Sequence, residues 1–127
     1  IPYEVTNLQT SVLWNNGGSF SLQALPQEAQ LAPVFAIVAD DFNADGQTDI
    51  WLGGNFYPLK PQVGRHDASR GVLLLGKGNQ QFESMGYRES GIRVDGEVRD
   101  AQMLEVGGAK VLMVARNNET LKAFKRK

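Results

Sequence analysis

The sequence contains no cysteine among its 127 residues. That excludes a disulfide framework, a thiolate zinc site and a cysteine nucleophile, and leaves the redox compartment open. Charge of one sign is also scarce: 13 basic side chains face 14 acidic ones, for a formal charge of −1. No overall field therefore draws the chain to nucleic acid or to an anionic membrane. No apolar run approaches the roughly 20 residues that span a bilayer, and the opening residues lack the charged and then apolar pattern of a leader. Long helical stripes are missing as well. Every window of about 12 residues is interrupted by glycine, proline or asparagine, so little helix is expected.

The chain does contain short apolar runs bounded by turn residues: Ser11 to Trp14, Phe20 to Leu25, Val34 to Ala39, Ile50 to Leu52, Val72 to Leu75, Ala101 to Val106 and Val111 to Ala115. Between them stand Asn15-Asn16-Gly17-Gly18, Asp45-Gly46, Gly53-Gly54-Asn55, Gly76-Lys77-Gly78-Asn79, Asp95-Gly96, Gly107-Gly108 and Asn117-Asn118. Gly and Asn accept positive φ, so these are turns, and short strands at regular spacing predict an all-β sandwich, barrel or propeller. Gln27 to Leu31, between Pro26 and Pro33, is the one helix-like candidate and has room for a single turn.

An internal repeat narrows the architecture. Phe20 and Phe82, Gly46 and Gly108, Ile50 and Leu112, Leu52 and Val114, and Asn55 and Asn117 all stand 62 residues apart, while Val12-Leu13-Trp14 matches Leu73-Leu74-Leu75 one residue out of step. Each unit then holds about four short strands, the size of a propeller blade.

The chemistry concentrates in Asp41-Phe42-Asn43-Ala44-Asp45-Gly46-Gln47-Thr48-Asp49. Oxygen side chains at the first, third, fifth and ninth positions, with glycine at the sixth, form a loop that can wrap a hard cation, and the Gln47 carbonyl adds a further oxygen. Carboxylates this close repel one another without a cation; the plainer reading of the same residues is an Asp/Asn-rich turn that needs no metal. The neutral amide of Asn43 suits Ca2+, with its 6 to 8 oxygen ligands, better than Mg2+. An EF-hand is disfavoured, because Leu52 stands where a bidentate Glu would be and the flanks read as strands. The offset of 62 carries Asp41 to Met103, Asn43 to Glu105, Asp45 to Gly107 and Asp49 to Val111, so one calcium site is expected rather than two.

These residues resemble a known family. The stretch from Val38 to Gly54 resembles the FG-GAP or VCBS repeat of integrin α-subunit propellers and of many secreted bacterial proteins, and Val72 to Phe82 resembles the later part of the same repeat. The arrangement over Ser11 to Phe124 is similar to the C-terminal part of bacterial FG-GAP-like proteins related to cartilage acidic protein. The resemblance implies β-propeller blades, about two blade-equivalents of a seven-bladed propeller, with Ca2+ held on an inner hairpin by Asp41, Asn43, Asp45, Gln47 and Asp49. It also implies an exported protein, extracellular, periplasmic or at the cell surface.

On this reading residues 1–127 are a partial propeller. Residues 11–25 form the outer strands of one blade, 35–85 a complete blade with the calcium loop at 41–49, and 98–124 three strands of the next, with its outer strand missing. The start at Ile1 and the out-of-phase blades predict a piece of a longer protein. The expected partners are the remaining blades of a parent chain or a second copy.

The longest non-repetitive connection, Asn55 to Gly71, carries the candidate ligand contacts Tyr57, Lys60, Arg65, His66 and Asp67, for a protein or carbohydrate ligand. The same loop can also serve only to pack neighbouring blades together. His66-Asp67-Ala68-Ser69 is not read as a triad, since triads depend on geometry rather than adjacency. Trp14, Trp51 and Tyr87 are candidates for a sugar platform, against core packing as the plainer use of strand aromatics. Asp95, Glu97 and Asp100 with Arg93 and Arg99 read as a salt-bridged turn. Lys122, Lys125, Arg126 and Lys127 form a basic tail too short to argue for nucleic acid. The sequence thus predicts a calcium-binding scaffold with no enzymatic activity of its own. The alternative is a non-catalytic or active-site-contributing part of a secreted polysaccharide-processing enzyme, in which the acidic loop or the Asn55 to Gly71 loop helps form the active site; the carboxylate pair it needs would have to come from residues already explained as ligands.

Overall fold

A computed structural model describes residues 2–125; Arg126 and Lys127 of the basic tail lie outside the described residues. The glycine and asparagine turns close a series of antiparallel hairpins. The strands are β1 (Ser11–Asn15), β2 (Phe20–Ala24), β3 (Val34–Asp40), β4 (Asp49–Gly54), β5 (Val72–Gly76), β6 (Phe82–Met85), β7 (Val98–Val106), β8 (Ala109–Arg116) and β9 (Lys122–Lys125). They form three open antiparallel sheets, ordered β1-β2, β3-β4-β5-β6 and β7-β8-β9. Gln27–Gln30 makes one 3₁₀ turn, which the Gln30 amide fastens to the start of β1 through both backbone groups of Thr10 (2.8 and 2.9 Å).

A one-turn helix that the sequence does not predict, α1 (Tyr87–Ser90), follows β6. Gly86 precedes it, and Gly91 ends it in the left-handed conformation at φ 72°. Four residues are too few for a hydrophobic period to show, so only the flanking glycines mark it.

The four-stranded sheet lies between the other two and is covered on both faces. One face presents Ala36, Val38, Trp51, Leu73 and Leu75 to Ala101, Leu112 and Val114 of the three-stranded sheet. The opposite face presents Ile50, Leu52, Val72, Leu74 and Phe82 to Val12, Leu25 and Ala29. Burial on both sides explains why Val72–Leu75 is continuously apolar rather than alternating.

The three sheets face the same way. Ile50 and Leu52 of β4 point toward the preceding sheet, and so do their counterparts Leu112 and Val114 of β8, 62 residues on. Phe82 stacks on Trp14 of the preceding sheet, with ring centroids 5.8 Å apart. Its counterpart Phe20 packs on no such sheet among the described residues and is exposed, as are Leu13 and Leu22.

Along β3 and β7, the first strands of the second and third sheets, the offset of 62 fails. The hairpins β3–β4 and β7–β8 both carry a register shift near their start, between Val34 and Ala36 in β3 and between Val98 and Asp100 in β7, which sets those strands 64 apart. The end pair Asp40–Asp49 of one hairpin therefore corresponds to Leu104–Val111 of the other. Two residues are missing from the second connection, and the counterpart of Asp41 is Glu105 rather than Met103. The second hairpin closes through Gly107 and Gly108, both at positive φ (58° and 76°), as a two-residue type I′ turn demands.

Candidate metal centre

Residues 41–48 join β3 to β4. The loop folds onto its own polar side chains. The Asp41 carboxylate accepts the N–H groups of Asp45 (3.2 Å) and Gly46 (3.0 Å). Asn43 Oδ1 accepts the Asp45 N–H at 3.0 Å, and its amide nitrogen donates to Asp45 Oδ2 at 2.9 Å. Asp45 Oδ1 accepts the Gln47 N–H at 2.8 Å. Ala44 and Gly46 take positive φ (60° and 83°), which is strained for alanine and free for glycine.

Asp49 differs in kind from the other expected ligands. Its side chain is fully buried, with Oδ2 accepting the Phe42 N–H (2.8 Å) and Oδ1 the Gly76 N–H (2.9 Å), and no basic side chain pairs with it among the described residues. It ties the start of the loop to the end of β5. Gly76 is confined there, because a Cβ would lie 2.4 Å from the Thr48 carbonyl oxygen. Asp40, just outside the loop, accepts the Asp41 N–H and pairs with Lys110 of β8, linking the loop to the next sheet.

Asp41, Asn43 and Asp45 are thus brought together, Asp49 lies at the base of the loop, and Gln47 closes it with its backbone. Among the described residues no group of three or more His, Cys, Asp or Glu side chains is arranged to hold a metal ion. The donor set nonetheless fits a hard cation. Every candidate ligand is oxygen, the donor type a hard cation takes. Burying the Asp49 carboxylate without a paired cation is costly, and a bound cation would offset that cost.

The connection 55–71 leaves the opposite end of the sheet. Asn55, buried and at φ 83°, clamps it with three bonds, donating to the carbonyls of Ser69 (2.8 Å) and Gly96 (2.9 Å) and accepting the Ser69 N–H (3.0 Å). Glu97, also buried, accepts the Tyr57 N–H (2.7 Å), an Arg99 N–H (3.1 Å) and the Asn117 side-chain amide (2.8 Å). The connection is therefore bolted to the neighbouring sheet.

Of the candidate contacts, Tyr57 and Arg65 come together, the guanidinium lying 4.8 Å from the ring centroid. Burial, and then the charges of Asp67 and Glu119, push the Tyr57 phenol above its usual range. His66 pairs with Phe56 through backbone bonds of 2.8 and 2.9 Å. Among the described residues no side-chain hydrogen bond joins His66 to Asp67 or Ser69, and Ser69 Oγ accepts the Gly71 N–H at 3.2 Å, so no relay is assembled. Lys60 is exposed and not part of the Tyr57 pair. Trp51 is fully buried, so the three-aromatic sugar platform does not form. Sequence reasoning missed Asn55 and Glu97 as anchors; an asparagine directly after Gly53-Gly54 was the available signal for the first.

Beside the loop lies a cleft of about 670 Å³ between β5–β6 and β8–β9, lined by Leu75, Met85, Met103 and Phe124 together with the polar Asp41, Asn43 and Arg88. No helix among the described residues is long and apolar enough to cross a membrane.

The class these features define is an all-β chain of three stacked antiparallel sheets with an acidic hairpin loop. Compared with protein-family models, curated proteins and solved structures, the chain matches none.

Proposed function

We propose that the chain is a calcium-stabilised segment of a β-propeller from an exported protein, acting as a binding scaffold rather than an enzyme. The observation that carries this reading is the 41–49 loop. Its all-oxygen donors sit on an inner hairpin whose last residue, Asp49, is a buried carboxylate without a cationic partner among the described residues. The common facing of the three sheets supports the blade reading. So does the cleft beside β9, because in the preceding sheet pair the outer strand β6 supplies Phe82 to pack on Trp14. The β9 edge lacks such an outer neighbour among the described residues. The remaining blades of a longer chain, or a second copy, would supply it.

Calcium dependence is tested by melting the protein in saturating Ca2+ and in chelator. A rise of at least about 5 °C with Ca2+ is expected, with little response to Mg2+. Asp45→Ala should abolish the response while melting close to the chelated wild type. Melting unchanged by Ca2+ would overturn the metal assignment. The ligand role of Tyr57 and Arg65 is tested by binding of protein and glycan arrays before and after Arg65→Ala, and hydrolysis of a bound glycan would overturn the scaffold reading.

A further inference from the structure

Three arginines converge on one tyrosine ring at the outer side of the junction between the second and third sheets. The guanidinium carbons of Arg70, Arg88 and Arg93 lie 5.6, 5.9 and 5.5 Å from the Tyr87 ring centroid. They come from three different places: the end of the 55–71 connection, α1, and the segment that follows α1. The backbone beside Arg93 is tied to that of Arg70, because the Arg70 carbonyl accepts the Val94 N–H at 2.9 Å. A fourth cation joins them, since Lys122 of β9 donates to the Arg93 carbonyl at 3.1 Å.

Among the described residues one carboxylate pairs with these cations. Asp95 takes two bonds from Arg93 (2.9 and 3.2 Å) and lies 3.4 Å from Arg70 Nε. Among the described residues Arg88 pairs with no carboxylate, and Arg70 spends one further N–H on the Tyr87 hydroxyl at 3.4 Å. Each guanidinium carries five N–H donors in a planar fork, so most of those in the cluster face solvent. Holding like charges this close costs energy that a surface ion pair does not return. The side chains are about half exposed, so a large ligand can reach them.

We propose that Arg70, Arg88, Arg93 and Tyr87 form a binding site for the anionic groups of an acidic polysaccharide. The guanidinium forks match a carboxylate or sulfate bidentately, and their fixed placement lowers the ordering cost of binding. A charged glycan carries its anionic groups spaced apart on a neutral framework. Duplex nucleic acid brings one charge per about 1.7 Å and would meet the acidic remainder of a chain whose net charge is −1. The Tyr87 phenol is consistent with the cationic setting: hydrogen bonds from Arg88 and then Arg70 hold it below its usual range. Arg88 also lines the cleft that Asp41 and Asn43 of the 41–49 loop border, whereas Arg70 and Arg93 do not.

The test is fluorescence anisotropy with labelled polygalacturonate, dextran sulfate, neutral dextran and duplex DNA, at about 0.15 M salt and in chelator so that the 41–49 loop is silent. Polygalacturonate distinguishes recognition of uronate carboxylates, and dextran sulfate recognition of sulfate esters. The full chain is expected to bind at least one of the two anionic glycans and to ignore neutral dextran. Arg88→Ala, which disturbs no ion pair, should weaken that binding at least about fivefold, and Arg88→Lys should weaken it less. Lys77→Ala, at the other end of β5, should change it less than about twofold. Each variant is used after its melting temperature is shown to match wild type; if Arg88→Ala melts lower, Arg88→Gln takes its place. The assignment is overturned if neither anionic glycan binds, if neutral dextran binds equally, if Arg88→Ala and Lys77→Ala weaken binding alike, or if duplex DNA binds more tightly.

Discussion

Glu97 is buried at the joint between two sheets, and its donors arrive from Tyr57, Arg99 and Asn117. The Asn117 amide, and then the Tyr57 backbone N–H, hold its carboxyl below the usual glutamate range. A carboxyl with a lowered folded-state pKa stabilises the fold above its unfolded pKa of about 4.3, and that contribution is lost as pH falls through the folded value. Glu97→Gln should therefore lower stability at neutral pH and flatten the loss of stability below about pH 4, read from melting curves across pH. Unchanged acid-limb slopes would show that Glu97 is not the titrating anchor.

Gly54 makes a different residue-scale case. A Cβ there would lie 1.7 Å from the Pro33 carbonyl oxygen, which is backbone and cannot turn aside. Gly54→Ala should cost at least about 2–3 kcal/mol in denaturant unfolding. The acidic loop was legible in the sequence because its oxygen residues are close neighbours at alternate positions. Glu97 was not, because its partners Tyr57 and Asn117 stand 40 and 20 residues away.

Among the elements, β5 and β3 show what burial does to a strand. Leu74 is fully enclosed in the core between the first two sheets, and Leu74→Ala should cost about 3 kcal/mol through lost transfer energy and the cavity left behind. Ile37 of β3 is 65% exposed, and Ile37→Thr should change stability by no more than about 0.5 kcal/mol in the same denaturant series. Periodicity alone ranks the two positions alike, since both lie in apolar runs. The strands themselves were legible because turn residues bracket each run. The helix α1 was too short to leave a period, and the two-residue contraction between β7 and β8 was hidden because β4 and β8 keep the offset of 62 that β3 and β7 lose.

At the scale of the whole molecule, the stack ends in two unlike faces. One carries Leu13, Phe20 and Leu22, which are 59%, 65% and 57% exposed, and the other carries Leu104 and Val106, at 42% and 59%. Contacts between such ends are head-to-tail and do not close by themselves. Sedimentation velocity should show concentration-dependent association that Phe20→Lys with Leu22→Lys reduces without lowering the melting temperature. Leu104→Lys should do the same from the other end. A mixture of the two variants, each retaining one intact face, should form dimers and nothing longer. A wild-type chain that stays monomeric at every concentration would falsify this picture of the end faces.

The two tryptophans of the chain belong to different joints of the stack. Trp51 is fully enclosed between the second and third sheets, and Trp14 stacks on Phe82 between the first and second. Each joint thus contains its own fluorophore. With Trp14→Phe, the remaining emission follows the loosening of one joint; with Trp51→Phe, it follows the other. The order in which the sheets part on heating can be read as two separate colour shifts from a protein that needs no added label.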